Sequence, residues 1–267
     1  MLPKGESRIN KTIYAITSGQ GPDVLLLHGL FGQGSNLRRI ARALARQFRV
    51  HCLDLPDHGR SAWLEEASLT HYAREIDLWM GESGLDSAHV VGHSLGGKVA
   101  MQLALSHAAR VNCLVVADIA PVAYAGQHFE VFDALQKVVA ANCQSRQSAD
   151  EVLADVIEDP AVRGYLLMGF ERGEGADPWR FNVQGLRSGY VRLCAAPDFD
   201  RVFTGDTLFL RGADSDYVGA EHEKTIAQWF PASHLVSLTD AGHWLHMDQP
   251  QAFCDQVRHH LLSWVGA

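Results

Sequence analysis

Ser94 stands in Val90-Val91-Gly92-His93-Ser94-Leu95-Gly96-Gly97, where an apolar stretch leads into Gly-x-Ser-x-Gly and then into an apolar helical pattern. A serine set between glycines fits a sharp strand-to-helix turn, because small neighbours relieve the crowding and the hydroxyl is lifted clear of the sheet. The pentad alone arises by chance in a glycine-containing chain; the strand before it and the helix after it give it meaning. A serine hydroxyl is protonated at neutral pH and is a poor nucleophile. It needs a base within hydrogen-bond reach and a carboxylate that orients the base. His243, in Asp240-Ala241-Gly242-His243-Trp244, follows the last apolar stretch and is the candidate base. His246 is its rival. The pair is also half of a metal site, but the chain offers no complementary cluster, so no metal is expected. His93 reads as packing beneath the turn.

Charge on a tetrahedral intermediate must be met by hydrogen-bond donors. The turn supplies the N–H of Leu95. The second donor is expected from His28-Gly29-Leu30-Phe31-Gly32, the glycine-rich loop after the apolar stretch 24–27, with Leu30 giving the N–H and Phe31 a pocket wall.

Elements must hold these residues in place. Short apolar runs at 24–27, 49–53, 89–91, 114–117, 207–210 and 235–238 read as strands covered on both faces. Helical patterns at 37–48, 72–84, 97–107, 220–230 and 251–264 lie between them, and an antiparallel strand is expected over 12–16. Strand–helix alternation predicts an α/β fold with a mostly parallel, doubly wound sheet. The alternation fails over 121–203, where apolar residues recur at helical spacing (Phe129, Phe132, Leu135, Val138; Val152, Val156) with glycine-rich turns at Gly173 and Gly175. That stretch is too long for a structureless loop. The expected organisation is a core of 1–120 and 204–267 with an inserted helical cap of 121–203. Tyr124, Met168, Phe170, Trp179 and Trp244 are candidates for an apolar substrate pocket, and cap core is the competing reading of each.

The 267 residues carry a formal net charge of -8, with 47% hydrophobic residues and no basic run, which argues against nucleic acid as the main partner. No apolar run reaches membrane-spanning length, and the polar start over 1–10 lacks a signal-peptide core. The 5 cysteines are scattered, with no Cys-x-x-Cys pair, as expected of a cytoplasmic chain.

Taken in order, His28-Gly29, Asp54-x-Pro56-x-x-Gly59-x-Ser61, Gly92-His93-Ser94-Leu95-Gly96-Gly97 and Gly242-His243 resemble the α/β-hydrolase superfamily across nearly the whole chain outside the cap. Leu30-Phe31-Gly32, Gly96-Gly97-Lys98 and Asp118-Ile119-Ala120-Pro121-Val122 are similar to the YbfF-type small serine esterases and related abhydrolases. The resemblance implies an α/β-hydrolase fold and hydrolysis of small-molecule esters or thioesters through an acyl-enzyme at Ser94, with no cofactor. It leaves oligomeric state unspecified. Asp54 to Ser61 reads as a turn supporting the oxyanion loop, and Lys98 as structural or solvent-facing.

The acid is less direct. Many members of the superfamily carry it in a Gly-x-x-Asp turn after the strand that follows the cap; here Ser215 occupies that offset from Gly212, flanked by Asp214 and Asp216. Asp118 ends the strand after the nucleophile helix, on the edge where active sites of open α/β sheets gather, and the resembled esterases place their acid there. Asp118 is the favoured acid, with Ser215 as auxiliary partner and Asp214 as runner-up; capping of the turn before Pro121 is the other reading of Asp118. A non-catalytic ligand-binding member of the fold, a carbon–carbon hydrolase and a perhydrolase remain alternatives.

Overall fold

The computed structural model describes residues 12–171, 177–198 and 200–265; the expected turns at Gly173 and Gly175 and the polar start over 1–10 lie outside them. Among the described residues seven strands, β1 (Ala15–Ser18), β2 (Asp23–Leu27), β3 (Arg49–Leu53), β4 (Ala88–His93), β5 (Val111–Ala117), β6 (Thr207–Gly212) and β7 (Ser233–Leu238), form one sheet in the order β1-β3-β2-β4-β5-β6-β7. β1 is antiparallel to β3 and the other pairs are parallel. This is the α/β-hydrolase architecture expected from the sequence.

The apolar runs explain the layering. Successive strand side chains point to opposite faces, so Leu25, Leu27, Val90, Leu114 and Val116 enter one core while Val24, Leu26, Val91, Val115 and Ala117 enter the other. Helices α2 (Leu69–Glu82) and α3 (Leu95–Ser106) cover the first face. Helices α1 (Arg38–Leu44) and α10 (Pro250–Val265) cover the second. α2 starts earlier than the periodicity indicates because Ser68 caps it, accepting from His71 N–H. The first strand begins at Ala15 rather than Thr12: over 12–14 the chain bonds the turn at 54–62 instead, with Tyr14 N–H donating to Ser61 Oγ.

Between β5 and β6, among the described residues, run helices α4 (Phe129–Ala140), α5 (Arg146–Ala154), α6 (Pro160–Leu167) and α7 (Val183–Cys194); α8 (Glu223–Trp229) and the short α9 (Leu245–Asp248) follow β6 and β7. Lys98, on α3, ties both ends of this excursion down. Its ammonium donates to Val122 O on the way in (2.7 Å) and to Cys194 O and Ala195 O on the way out. Three carbonyls use the three ammonium donors, which is what allows so buried a lysine to keep its charge. Lys98 is therefore structural and not solvent-facing.

β2 leads to its neighbours β3 on one side and β4 on the other, so the winding reverses there. The crevice beyond the strand ends at such a reversal is where ligands of open α/β sheets bind. The loop after β2 and the turn after β4 meet at that crevice.

Candidate active site

Ser94 is the turn between β4 and α3, with φ 53° and ψ -117°. Such a left-handed setting costs a non-glycine residue about 1–3 kcal/mol and survives only where surroundings enforce it. Close packing does so here. A Cβ on Gly92 would lie 2.2 Å from Gly96 O, and one on Gly96 would lie 2.3 Å from Leu27 O. Both positions must be glycine for the turn to close and for the loop after β2 to approach it.

Ser94 Oγ lies 3.0 Å from His243 Nε2, and His243 Nδ1 lies 2.8 Å from Asp118 Oδ2. Asp118 can only accept, so Nδ1 carries the proton and Nε2 is free to accept from the serine. Asp118 is fully buried. Its Oδ1 accepts from Gly212 N–H (2.9 Å), and its Oδ2 also accepts from Ser215 Oγ–H. Asp214 and Asp216 are exposed. The turn after β6 thus gives Asp118 a hydroxyl and an amide, and leaves its own two carboxylates in water.

His243 is held through its backbone as well: His93 Nε2–H donates to His243 O at 2.7 Å. Burial holds His93 well below the ordinary histidine range. Burial also lowers His246 to about 4. His246 packs its ring against His93 at 4.6 Å. The rival histidine is thus part of the packing under the site.

The loop after β2 is fixed by two more neutral histidines. His28 Nδ1–H donates to Gly29 O and its Nε2 accepts from Leu55 N–H; His58 Nδ1–H donates to Pro56 O and its Nε2 accepts from Phe31 N–H. Burial lowers them to about 4 and about 3, so both acceptor nitrogens stay bare at neutral pH. Phe31 N–H is thereby engaged, and Tyr165 O–H donates to Leu30 O. Leu30 and Leu95 both border the hollow at Ser94, and the Leu95 N–H, the first of α3, has no intrahelical partner. Asp54 accepts from Gly34 N–H and Arg60 N–H, which makes 54–61 a brace for this loop.

Two apolar hollows meet at Ser94, enclosing about 540 and 500 Å³ with their mouths. Leu95, Tyr124, Leu193 and Cys194 line the first, and Phe31, Val131, Tyr165 and Trp244 the second; Leu30, His128 and Tyr217 face both. Of the pocket candidates, Tyr124, Phe31 and Trp244 come to the site. Phe170 and Trp179 require correction. Neither lines these hollows; both are about 95% buried inside the helical excursion, where Trp179 stacks on Phe181 at 5.2 Å and donates to Leu135 O. Their size and spacing serve the excursion's own core. Met168 lies outside too, on the rim beside Asn36. Sequence reasoning missed His128 and Tyr217. Tyr217, two residues past Ser215, carries the only signal: an aromatic residue in the turn expected to reach the histidine.

A sheet wound both ways from β2, with serine, acid and histidine on the strand ends of β4, β5 and β7 in that chain order, defines the class of the α/β-hydrolases. The chain belongs to the alpha/beta hydrolase family, whose model matches residues 24–256. It is 35% identical over 244 residues to the sn-1-specific diacylglycerol lipase ABHD11 of Mus musculus, covering 88% of this chain and 80% of the relative. It is 31% identical over 241 residues to Esterase YbfF of Escherichia coli, covering 89% and 92% of the two chains. A solved marine microorganism esterase superposes with a TM-score of 0.89 at 30% identity, covering 93% of this chain and 98% of its own.

Proposed function

We propose that this protein is a serine hydrolase that cleaves carboxylic esters or acyl thioesters through an acyl-enzyme at Ser94. The continuous chain Ser94–His243–Asp118, with 3.0 and 2.8 Å links, is the observation that carries this reading. Ser94 Oγ attacks the acyl carbonyl while its proton passes to His243 Nε2. Asp118 holds the Nδ1–H tautomer and balances the imidazolium. The amides of Leu30 and Leu95 receive the oxyanion. The imidazolium then returns its proton to the departing alcohol or thiol, and water, activated by the same histidine, releases the acid. Ser215 supports the carboxylate. None of these steps calls on a cofactor.

The helices over 121–203 act as a cap on the core of 1–120 and 204–267. One apolar hollow takes the acyl chain and the other the leaving group, with Phe31, Tyr124 and Trp244 as walls. The substrate is a small molecule with an acyl chain. Among the described residues no helix is long and apolar enough to cross a membrane. Five free thiols support a reducing, cytoplasmic setting.

The test is a panel of p-nitrophenyl esters and acyl-CoA thioesters on the protein and on Ser94→Ala. We expect turnover to fall by about five orders of magnitude or more in the variant, since nucleophile and base act as a unit. A serine-directed phosphonate should label Ser94 alone. Labelling that persists in Ser94→Ala, or a folded protein with no burst or turnover on any activated ester, sinks the proposal and favours a ligand-binding member of the fold.

A further inference from the structure

The Tyr217 ring lies nearly flat on the His243 imidazole, with centroids 3.9 Å apart and planes 20° from parallel. The imidazole also meets the His93 ring, tilted at 4.9 Å. Tyr217 is itself anchored at both backbone ends. Its N–H donates to Ser215 Oγ, and its carbonyl accepts from Tyr124 O–H at 2.6 Å. The residue that bonds the acid and the residue that covers the base therefore share one turn.

We infer that Tyr217 is a positioning residue for the histidine: it fixes the ring plane and stabilises the imidazolium that forms when Ser94 gives up its proton. The inference rests on the reading of His243 as base. An aromatic face carries negative potential, and a cation against it is favoured, most of all where water is excluded. Neutral imidazole gains little from that face. The contact therefore strengthens as the reaction proceeds, which is the condition for raising rate and not only binding. The His93 ring shares the positioning but meets the imidazole at a tilt of 42°, not flat. Among the described residues the groups around His243 are Asp118 from the end of β5, Ser94 and His93 from the end of β4, His246 from α9 and His128 ahead of α4, while Asp248 accepts from the N–H of the preceding Gly242. Asp118 holds the ring along its Nδ1–Nε2 line, so rotation about that line is left to Tyr217 and to the His93 contact.

The experiment is a pH–rate profile of kcat and kcat/KM on a short activated ester for the protein, Tyr217→Phe and Tyr217→Leu. Tyr217→Phe keeps the aromatic face and should remain within about twofold. Tyr217→Leu keeps the bulk and loses the face. Its plateau kcat should drop about tenfold. The acid limb should move to lower pH, because a less stabilised imidazolium loses its proton more readily. If Tyr217→Leu does not fold, pentafluorophenylalanine at this position keeps the shape while inverting the ring's quadrupole, and should move the limb the same way. A changed KM with unmoved acid limb and plateau would make Tyr217 a pocket wall only and overturn the inference. That failure is distinct from failure of the esterase reading, which shows as no Ser94-dependent turnover in the unmodified protein.

Discussion

Ser215 donates its hydroxyl to the Asp118 oxygen that also accepts from His243. Serine thus stands at the offset from Gly212 where a carboxylate is usual in the fold, and it reaches the same histidine by way of an acid brought from a different strand. Asp118 sits at a left-handed φ of 51°, which turns the chain sharply at the end of β5. Gly212 N–H meets its other oxygen.

Asp118→Asn should lower kcat by about a thousandfold to ten-thousandfold, since an amide donating toward Nδ1 selects the wrong histidine tautomer. Asp214→Asn and Asp216→Asn should stay within about threefold, because both side chains are solvent-exposed. Ser215→Ala should fall between, about tenfold down, by loss of one charge-assisted hydrogen bond. Steady-state kinetics on one activated ester ranks all four; a crippled Asp214→Asn beside a healthy Asp118→Asn would reverse the assignment.

His243→Ala should be nearly as inactive as Ser94→Ala, while His246→Ala keeps most of its kcat and loses stability. The reason is location: half-buried His246 packs on His93 and is held to about 4 by desolvation, so it is neutral at working pH. Parallel assays and thermal melts separate the two outcomes. A melt unchanged with activity abolished in His246→Ala would contradict the packing role.

Phe170→Ala and Trp179→Ala should destabilise the fold by about 3–5 kcal/mol each, the usual range for emptying a buried aromatic site. Their effect on activity should be uniform across acyl lengths, since neither borders the hollows at Ser94. Urea midpoints and a chain-length series check this. A selective change in chain-length preference at full stability would return them to the pocket.

Acid should weaken the fold well above the carboxylate range. His28, His58, His89 and His246 are lowered by burial to about 4, 3, 4 and 4. In the unfolded chain each binds a proton near the ordinary histidine value of 6.5, while the folded chain does not. The unfolded state then holds more protons, so stability falls as pH drops through 6.5 toward 4, by up to about 1.4 kcal/mol per pH unit for each such histidine. Urea midpoints at pH 7.5, 6.0 and 5.0 should decline steadily; a flat series would mean these rings are hydrated or partnered when charged.

Much of this was readable from residue order. The strands announce themselves because burial on both faces leaves no room for polar alternation, and Gly92 and Gly96 mark the turn because nothing larger fits. Ser94, His243 and Asp118 lie at element ends that periodicity locates. What escaped depends on distance between segments far apart in the chain. Trp179 and Phe170 look like pocket aromatics until Phe181 and Leu135 are seen packed on them. Lys98 reads as either structural or solvent-facing until the carbonyls of Val122, Cys194 and Ala195 converge on it and decide for the first. Tyr217 carries only its nearness to Ser215 as a signal, and its contact with His243 exists because the turn after β6 meets the loop after β7.

The Lys98 clamp also constrains how the helical excursion can be exchanged. Both of its stalks are moored to one atom, a single turn beyond Ser94. The two stalks are thereby held to α3 and to each other. Replacing it with a foreign segment, by recombination or by design, must bring a matching trio of carbonyls to that ammonium, or strand a buried charge at a loss of several kcal/mol. Side-chain changes along the hollows meet no such barrier. On the proposed function, new substrate preferences would be reached more readily by point substitution along the hollows than by exchanging the helical segment.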